Sequence, residues 1–220
     1  MAYTAPRTWT TGELVTAAIM NTHVRDNFTA VAPTVLGQVL GGDGSAPAAV
    51  GGMTLITACR LTTTASINIS SIASGYKALC LEIFLRSTVA AATTELILMR
   101  FNAAASNYYW VRSQRNHNSV YGTAEGIDDA TMQVGTMPGP GIASAYGLYT
   151  IKIPYYDSPS TLKSFFSTGH LLSGSASTAP KIDDAGGTWR AASAITQIEL
   201  FGTTCNAFAA SSQVLLYGLT

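Results

Sequence analysis

Residues 76–86 read YKALCLEIFLR, and the alternation within them decides the fold class. Leu79, Leu81, Ile83 and Leu85 fall on one side of an extended chain, while Ala78, Glu82 and Arg86 fall on the other. A period of two is the pattern of a strand with one core face and one wetter face. Residues 146–156, YGLYTIKIPYY, repeat it: Tyr149, Ile151, Ile153 and Tyr155 oppose Thr150, Lys152 and Pro154. Nearer the C-terminus, Thr196, Ile198 and Leu200 alternate with Gln197 and Glu199.

Outward from these stretches, short runs of β-branched and aromatic residues are bounded by Gly, Ser, Asn or Asp. They give the expected strands Met53–Leu61, Ser66–Ile72, Tyr76–Arg86, Thr94–Phe101, Asn107–Arg115, Thr131–Thr136, Gly147–Tyr155, Thr161–Leu172, Ile195–Phe201 and Gln213–Leu219. No helical pattern separates them, so βαβ units and a parallel sheet are disfavoured. The expected fold class is all-β: two antiparallel sheets face to face as a β-sandwich, jelly-roll-like by preference, preceded by an N-terminal α-helical arm.

Composition narrows the function classes. The chain has 220 residues, 12 Lys plus Arg against 12 Asp plus Glu, and 11% charged residues. A typical soluble domain carries about 25%. Ordinary disorder needs low hydrophobicity with high charge, and a nucleic-acid groove needs clustered cations, so neither is expected. No run of about 20 apolar residues suggests a membrane span, and MAYTAPRTW lacks the basic-then-apolar form of a secretory signal. Cys59, Cys80 and Cys205 are too sparse for a disulfide scaffold or a zinc site and read as small buried hydrophobes. Zero net charge leaves little repulsion against self-association, which suits a protein that assembles.

The first 36 residues differ from the rest. Met20, Val24, Phe28 and Val31 form one stripe of a helix expected over Ala17–Val31, ending before Pro33. Thr10 with Glu13 forms a capping-box pattern, and Thr16 is the competing and preferred start. Arg25, Asp26 and Asn27 make a polar patch on the opposite face. The apolar stripe has to be buried against the main domain, another copy or a partner. Residues 37–52, GQVLGGDGSAPAAVGG, form a glycine-rich linker, and 53–220 form the β-rich domain.

Catalytic machinery is not visible. His23, His117 and His170 lack ligand-spaced partners, and there is no G-x-S-x-G elbow or phosphate-binding loop. No catalytic residue, metal or cofactor is therefore expected. The pairs Asp128–Asp129 and Asp183–Asp184 read first as turn caps, with calcium or paired-carboxylate chemistry as alternatives. Tyr108, Tyr109, Trp110 and Arg112 cluster as core, protein interface or glycan contact. In a strand, Tyr108 and Trp110 face opposite to Tyr109 and Val111, so at most one set is exposed. Residues 135–147 and 173–190 read as long loops, and such loops often serve as binding surfaces.

The run 6–31, PRTWTTGELVTAAIMNTHVRDNFTAV, resembles a segment near the N-terminus of many tailed-bacteriophage virion proteins. Trp9, Gly12, Glu13, Val15, Thr16, Ala17, Asn21, Val24, Arg25, Asp26 and Asn27 carry the likeness. YKALCLEIFLRS, LILMRFNAAASNYYW, GGTWR, AITQIEL and FAASSQVLLYGL are also similar to phrases in that family. The resemblance implies a β-sandwich on a minor structural protein of the virion, of the tail-fibre, minor-tail or head-fibre type. It implies a homo-oligomer, a trimer by analogy, held to other virion proteins by Trp9, Met20, Val24, Arg25, Asp26, Asn27, Phe28 and Val31. A host-surface glycan or receptor is a further expected partner. A tail location is preferred over a capsid fibre or decoration protein, and the reading from another class is a non-viral carbohydrate-binding β-sandwich.

Overall fold

The computed structural model describes residue 16 and residues 52–62, 64–89, 94–116, 121–142, 144–173, 179–203 and 208–220. The chain divides into two compact units, residues 1–54 with Thr220 and Leu55–Leu219. The expected helical arm, with Trp9, Met20, Val24, Arg25, Asp26, Asn27, Phe28 and Val31, lies outside the described residues, as does the linker up to Gly52. So do His117 and Cys205.

The described part is all-β and contains no helix. Its strands are β1 (Met53–Arg60), β2 (Ser66–Ile69), β3 (Ala78–Leu85), β4 (Thr94–Phe101), β5 (Tyr108–Asn116), β6 (Tyr121–Asp129), β7 (Met132–Pro138), β8 (Gly147–Pro154), β9 (Lys163–Ser173), β10 (Ala179–Trp189), β11 (Ile198–Gly202) and β12 (Gln213–Leu219). They form an eight-stranded sheet in the order β1-β12-β3-β8-β9-β10-β5-β6 and a four-stranded sheet in the order β2-β11-β4-β7. The β3–β8, β8–β9, β9–β10, β10–β5, β5–β6 and β12–β3 pairs are antiparallel, as are all pairs of the small sheet. At the end of β1, Leu61 N–H donates to Ser212 O at 2.9 Å and Ser211 N–H donates to Leu61 O at 3.1 Å.

The alternation read in residues 76–86 has its physical cause here. Leu79, Leu81, Ile83 and Leu85 are fully buried, while Glu82 and Phe84 are exposed. Ile97, Met99 and Phe101 of β4 and Ile198 and Leu200 of β11 join them in one core cluster with Tyr149, Ile151 and Ile153 of β8. One feature of β8 differs from expectation. The inward set stops at Ile153: Tyr155 lies beyond the strand at φ 49° and is 71% exposed. The turn brings Tyr156 inward instead, where its hydroxyl donates to Ala73 O.

Two strands were not expected from the sequence. β6 begins just past the expected end of β5, and β10 occupies most of the segment read as a long loop. Both carry glycines and an acidic pair, a composition that reads as turn. In β10 the glycine has a packing reason. A Cβ on Gly187 would stand 2.4 Å from Tyr109 O and 2.7 Å from the Phe165 ring, so the neighbouring strands close over a bare backbone. Asp183 and Asp184 therefore sit in mid-strand on opposite faces, and the turn-cap reading fails for them.

The chain switches sheets repeatedly, but the β5–β6 and β9–β10 hairpins both add to the large sheet, side by side. Without them, the large sheet would be β1-β12-β3-β8, four strands like the small one. With them, β7, the last strand of the small sheet, packs on β5, β8, β9 and β10 of the large one.

Candidate functional site

Strand β5 divides the aromatic cluster between two faces. Tyr108 is fully buried; its hydroxyl accepts from Phe101 N–H at 2.8 Å and donates to Phe101 O at 3.1 Å. Burial, only partly offset by that backbone bond, pushes the Tyr108 pKa up to about 12. Its ring packs with Phe101 and Trp189 at centroid distances of 6.3 and 6.1 Å. Trp110 is also buried, and Nε1 donates to Asp129 Oδ2 at 2.9 Å. These two side chains are therefore withdrawn from any ligand surface. Tyr109 points the other way, half-buried, with the Arg190 guanidinium 4.9 Å from its ring centroid. Arg112 shares the inner face with Tyr108 and Trp110 but lies further along it, half-buried.

The inner face of β5 turns polar at that point, with Arg112, Gln114 and Asn116 following Trp110. Gln114 stands opposite Asp183 of β10, and its Nε2 donates to Asp183 Oδ1 at 2.7 Å. Asp183 is 1% exposed, and its Oδ2 lies 2.8 Å from the Tyr149 hydroxyl, which donates to it. The same hydroxyl accepts from Thr136 N–H at 2.9 Å and lies 2.7 Å from Thr136 O. Arg112 Nη1 completes the cluster by donating to Thr136 Oγ1 at 3.1 Å. Burial first, and then the charge of Asp183, raises the Tyr149 pKa, so this hydroxyl stays protonated.

This cluster closes a sheet edge. β7 has β4 on one side only, and an unpaired edge buried beside another sheet leaves backbone groups without partners. Tyr149 serves Thr136, and Ser167 Oγ donates to Val134 O at 2.6 Å. The Tyr149 ring fits because residue 135 is glycine: a Cβ there would lie 2.4 Å from Tyr149 Cε1. Sequence reasoning missed Tyr149, Asp183 and Gln114 as a group. The usable signal was the alternation of Lys181, Asp183, Ala185, Gly187 and Trp189 against Ile182, Asp184, Gly186 and Thr188.

The outer face of the large sheet offers a second feature. Leu148, Thr150, Thr168, His170, Pro180 and Ile182 line a shallow concavity of about 490 Å³ across β8, β9 and β10. Beside it, exposed Phe84 stacks on Tyr146 at 4.4 Å. Asp184 belongs to this face, accepting from Thr168 Oγ1 at 2.7 Å and lying 3.7 Å from Arg115 Nη2. Asp128 lies in β6 at φ 58°, where the β5–β6 register shifts, and its Oδ1 accepts from Asn107 N–H at 2.9 Å, a bond to the start of β5 rather than a local turn cap.

Among the described residues, no group of three or more His, Cys, Asp or Glu is placed to hold a metal ion. Cys80 is buried, and desolvation, followed by the charge of Glu82, raises its pKa; Cys59 is half-buried. No helix among the described residues is long and apolar enough to cross a membrane. The chain matches no protein-family model, no curated protein and no solved structure.

Proposed function

We propose that the chain is a structural component of a tailed-phage virion. In this reading it is a tail-associated fibre or minor tail protein, anchored by its N-terminal segment and displaying the two-sheet unit outward. The observation that carries the reading is the run from Trp9 through Gly12-Glu13 and Val15-Thr16-Ala17 to Arg25-Asp26-Asn27, which resembles that attachment segment. The sheets support the display half of the design. Their order, β1-β12-β3-β8 and β2-β11-β4-β7 with two inserted hairpins, supports reading the unit as a β-sandwich of jelly-roll type.

The protein then acts without catalysis, as a homo-oligomer, trimeric by analogy, bound to other virion proteins through the arm. Each arm side chain such as Phe28 contributes about 1.5–3 kcal/mol on full burial, before ordering costs. Phe28→Asp should release the protein from particles while leaving the β-domain folded by circular dichroism. Normal incorporation of that variant would remove the arm from the account. Labelling the intact chain and locating it on particles separates a tail position from a capsid fibre or decoration protein. A second reading, a carbohydrate-binding unit outside any virion, draws on the polar inner face of β5 and requires no arm.

A further inference from the structure

The outer face of the large sheet gathers apolar side chains that the core does not use. Ten large apolar side chains are exposed among the described residues, and five of them stand on this face: Phe84, Val111, Leu148, Phe166 and Ile182. The strands of the small sheet contribute none of the ten. We infer that this face is a homodimer contact, in which two copies of the β-domain meet about a two-fold axis running along β9.

Strand register arranges the face in three rows across β3, β8, β9, β10 and β5. Phe84, Leu148, His170, Ile182 and Arg115 form the first row. Glu82, Thr150, Thr168 and Asp184 belong to the second. Lys152, Phe166, Gly186 and Val111 belong to the third. With strands about 4.8 Å apart and rows about 6.8 Å apart, the three rows cover about 500 Å². Two copies face to face then bury about 1,000 Å², the lower end of the range for a specific contact.

Charge selects both the occupant and the axis. The rows hold two acids, Glu82 and Asp184, and two bases, Lys152 and Arg115, so the face is neutral and suits a copy of itself wherever a rotation keeps like charges apart. An axis across the strands, over the second row, sets Glu82 on Glu82 of the second copy and Asp184 on Asp184. An axis along β8 sets Lys152 on Lys152, and one along β10 again sets Asp184 on Asp184. On β9 the outward residues are Phe166, Thr168 and His170, with no Asp, Glu, Lys or Arg to meet itself. Rotation about β9 exchanges β8 with β10 and β3 with β5. Leu148 then faces Ile182 of the second copy, Phe84 faces Arg115, and Lys152 faces Gly186, one row from Asp184. Apolar groups meet apolar groups, a guanidinium meets an aromatic ring, and an ammonium group lands beside a carboxylate.

Gly186 gives independent support. A Cβ there would meet only Phe165 O at 3.6 Å and Phe166 Cδ2 at 4.0 Å, both ordinary contacts. Packing within the chain therefore explains glycine at 187 but not at 186. The bare backbone at 186 is the seat for Lys152 of the second copy.

This contact goes beyond the arm, for which the resemblance implies a trimer, because it is two-fold and made by the β-domain. It is tested on the purified full chain. Sedimentation velocity from low to high micromolar concentration should show a species whose mass doubles. Any assembly through the arm sets the mass from which the doubling starts, so the two are read separately. Gly186→Val, a β-branched residue on an open strand position, should weaken the doubling at least tenfold without lowering thermal stability. Lys152→Glu should weaken it too, and adding Asp184→Lys should restore it. Thr168→Cys, on the axis, should give a disulfide-linked dimer on oxidation, whereas Thr123→Cys, opposite Ser113 on β6, should not. Constant mass over the range would assign the face to a different partner and overturn the inference. So would doubling unaffected by Gly186→Val, failure of the charge reversal to restore it, or equal cross-linking at 168 and 123.

Discussion

Tyr149→Phe tests how the open edge of β7 is closed. The substitution leaves the ring in its place over Gly135 and removes one oxygen. That oxygen accepts from Thr136 N–H at 2.9 Å and has two acceptors in reach, Asp183 Oδ2 at 2.8 Å and Thr136 O at 2.7 Å. A hydroxyl has one proton to give, and the carboxylate is the stronger acceptor. Its removal orphans a buried backbone N–H, at about 1–2 kcal/mol, and deprives a buried carboxylate of a charge-assisted bond, at about 1.5–3 kcal/mol. The sum, about 2.5–5 kcal/mol, corresponds to about 5–20 °C in Tm for a chain of this size. Tyr108→Phe is the matched control. Its hydroxyl bridges the N–H and C=O of Phe101 without a carboxylate, so its loss should cost about 1–2 kcal/mol. Urea unfolding followed by circular dichroism at neutral pH, with the m-value checked for constancy, reads both. If Tyr149→Phe costs no more than Tyr108→Phe, the hydroxyl is not what closes the edge.

Two further outcomes follow from the same packing. Gly187→Ala should destabilise the fold by about 2 kcal/mol or more, because the new Cβ meets Tyr109 O at 2.4 Å, whereas Gly186→Ala, whose nearest neighbour is Phe165 O at 3.6 Å, should be close to neutral by thermal melting. At alkaline pH the Tyr108 hydroxyl resists ionisation up to about 12, while in the unfolded chain it ionises near 10. Its contribution to stability is therefore intact below pH 10 and lost as pH rises from 10 to 12. Phenolate absorbance should accordingly keep a late component that appears together with loss of the circular-dichroism signal, and Tyr108→Phe should diminish it.

The legible parts of the fold were those whose side chains report a single face. Thr94–Phe101 and Gln213–Leu219 have the boundaries their alternation implies, and Leu79 to Leu85 gives the core face of β3 directly. β10 was illegible because its inward positions are set by distant partners. Asp183 is acceptable in a strand only because Tyr149, 34 residues earlier, and Gln114, 69 residues earlier, reach it. Gly187 is acceptable only because the flanking strands close over it. Locally, both residues signal a turn. In β5 the alternation correctly separated Tyr108 and Trp110 from Tyr109 and Val111. Which pair faced inward depended on Phe101, Trp189 and Asp129, residues brought together by the sheet order.

The two hairpins that sequence reasoning half missed bear most directly on function. β5–β6 and β9–β10 enter the large sheet from separate points in the chain, yet β10 pairs with β5 along its length, from Lys181–Asn116 to Trp189–Tyr108. Joining them costs loop-closure entropy, so the extension has to be stabilised by its own contacts. The aromatic end does this with Tyr108, Trp110 and Trp189. The other end instead carries Arg112, Gln114, Asn116, Lys181 and Asp183, a choice that apolar packing alone does not explain. Arg112, Gln114 and Asp183 meet the open edge of β7 there, at Thr136 and the Tyr149 hydroxyl. The polar end of the extension thus supplies the partners that the edge of β7 needs, a task apolar side chains cannot perform.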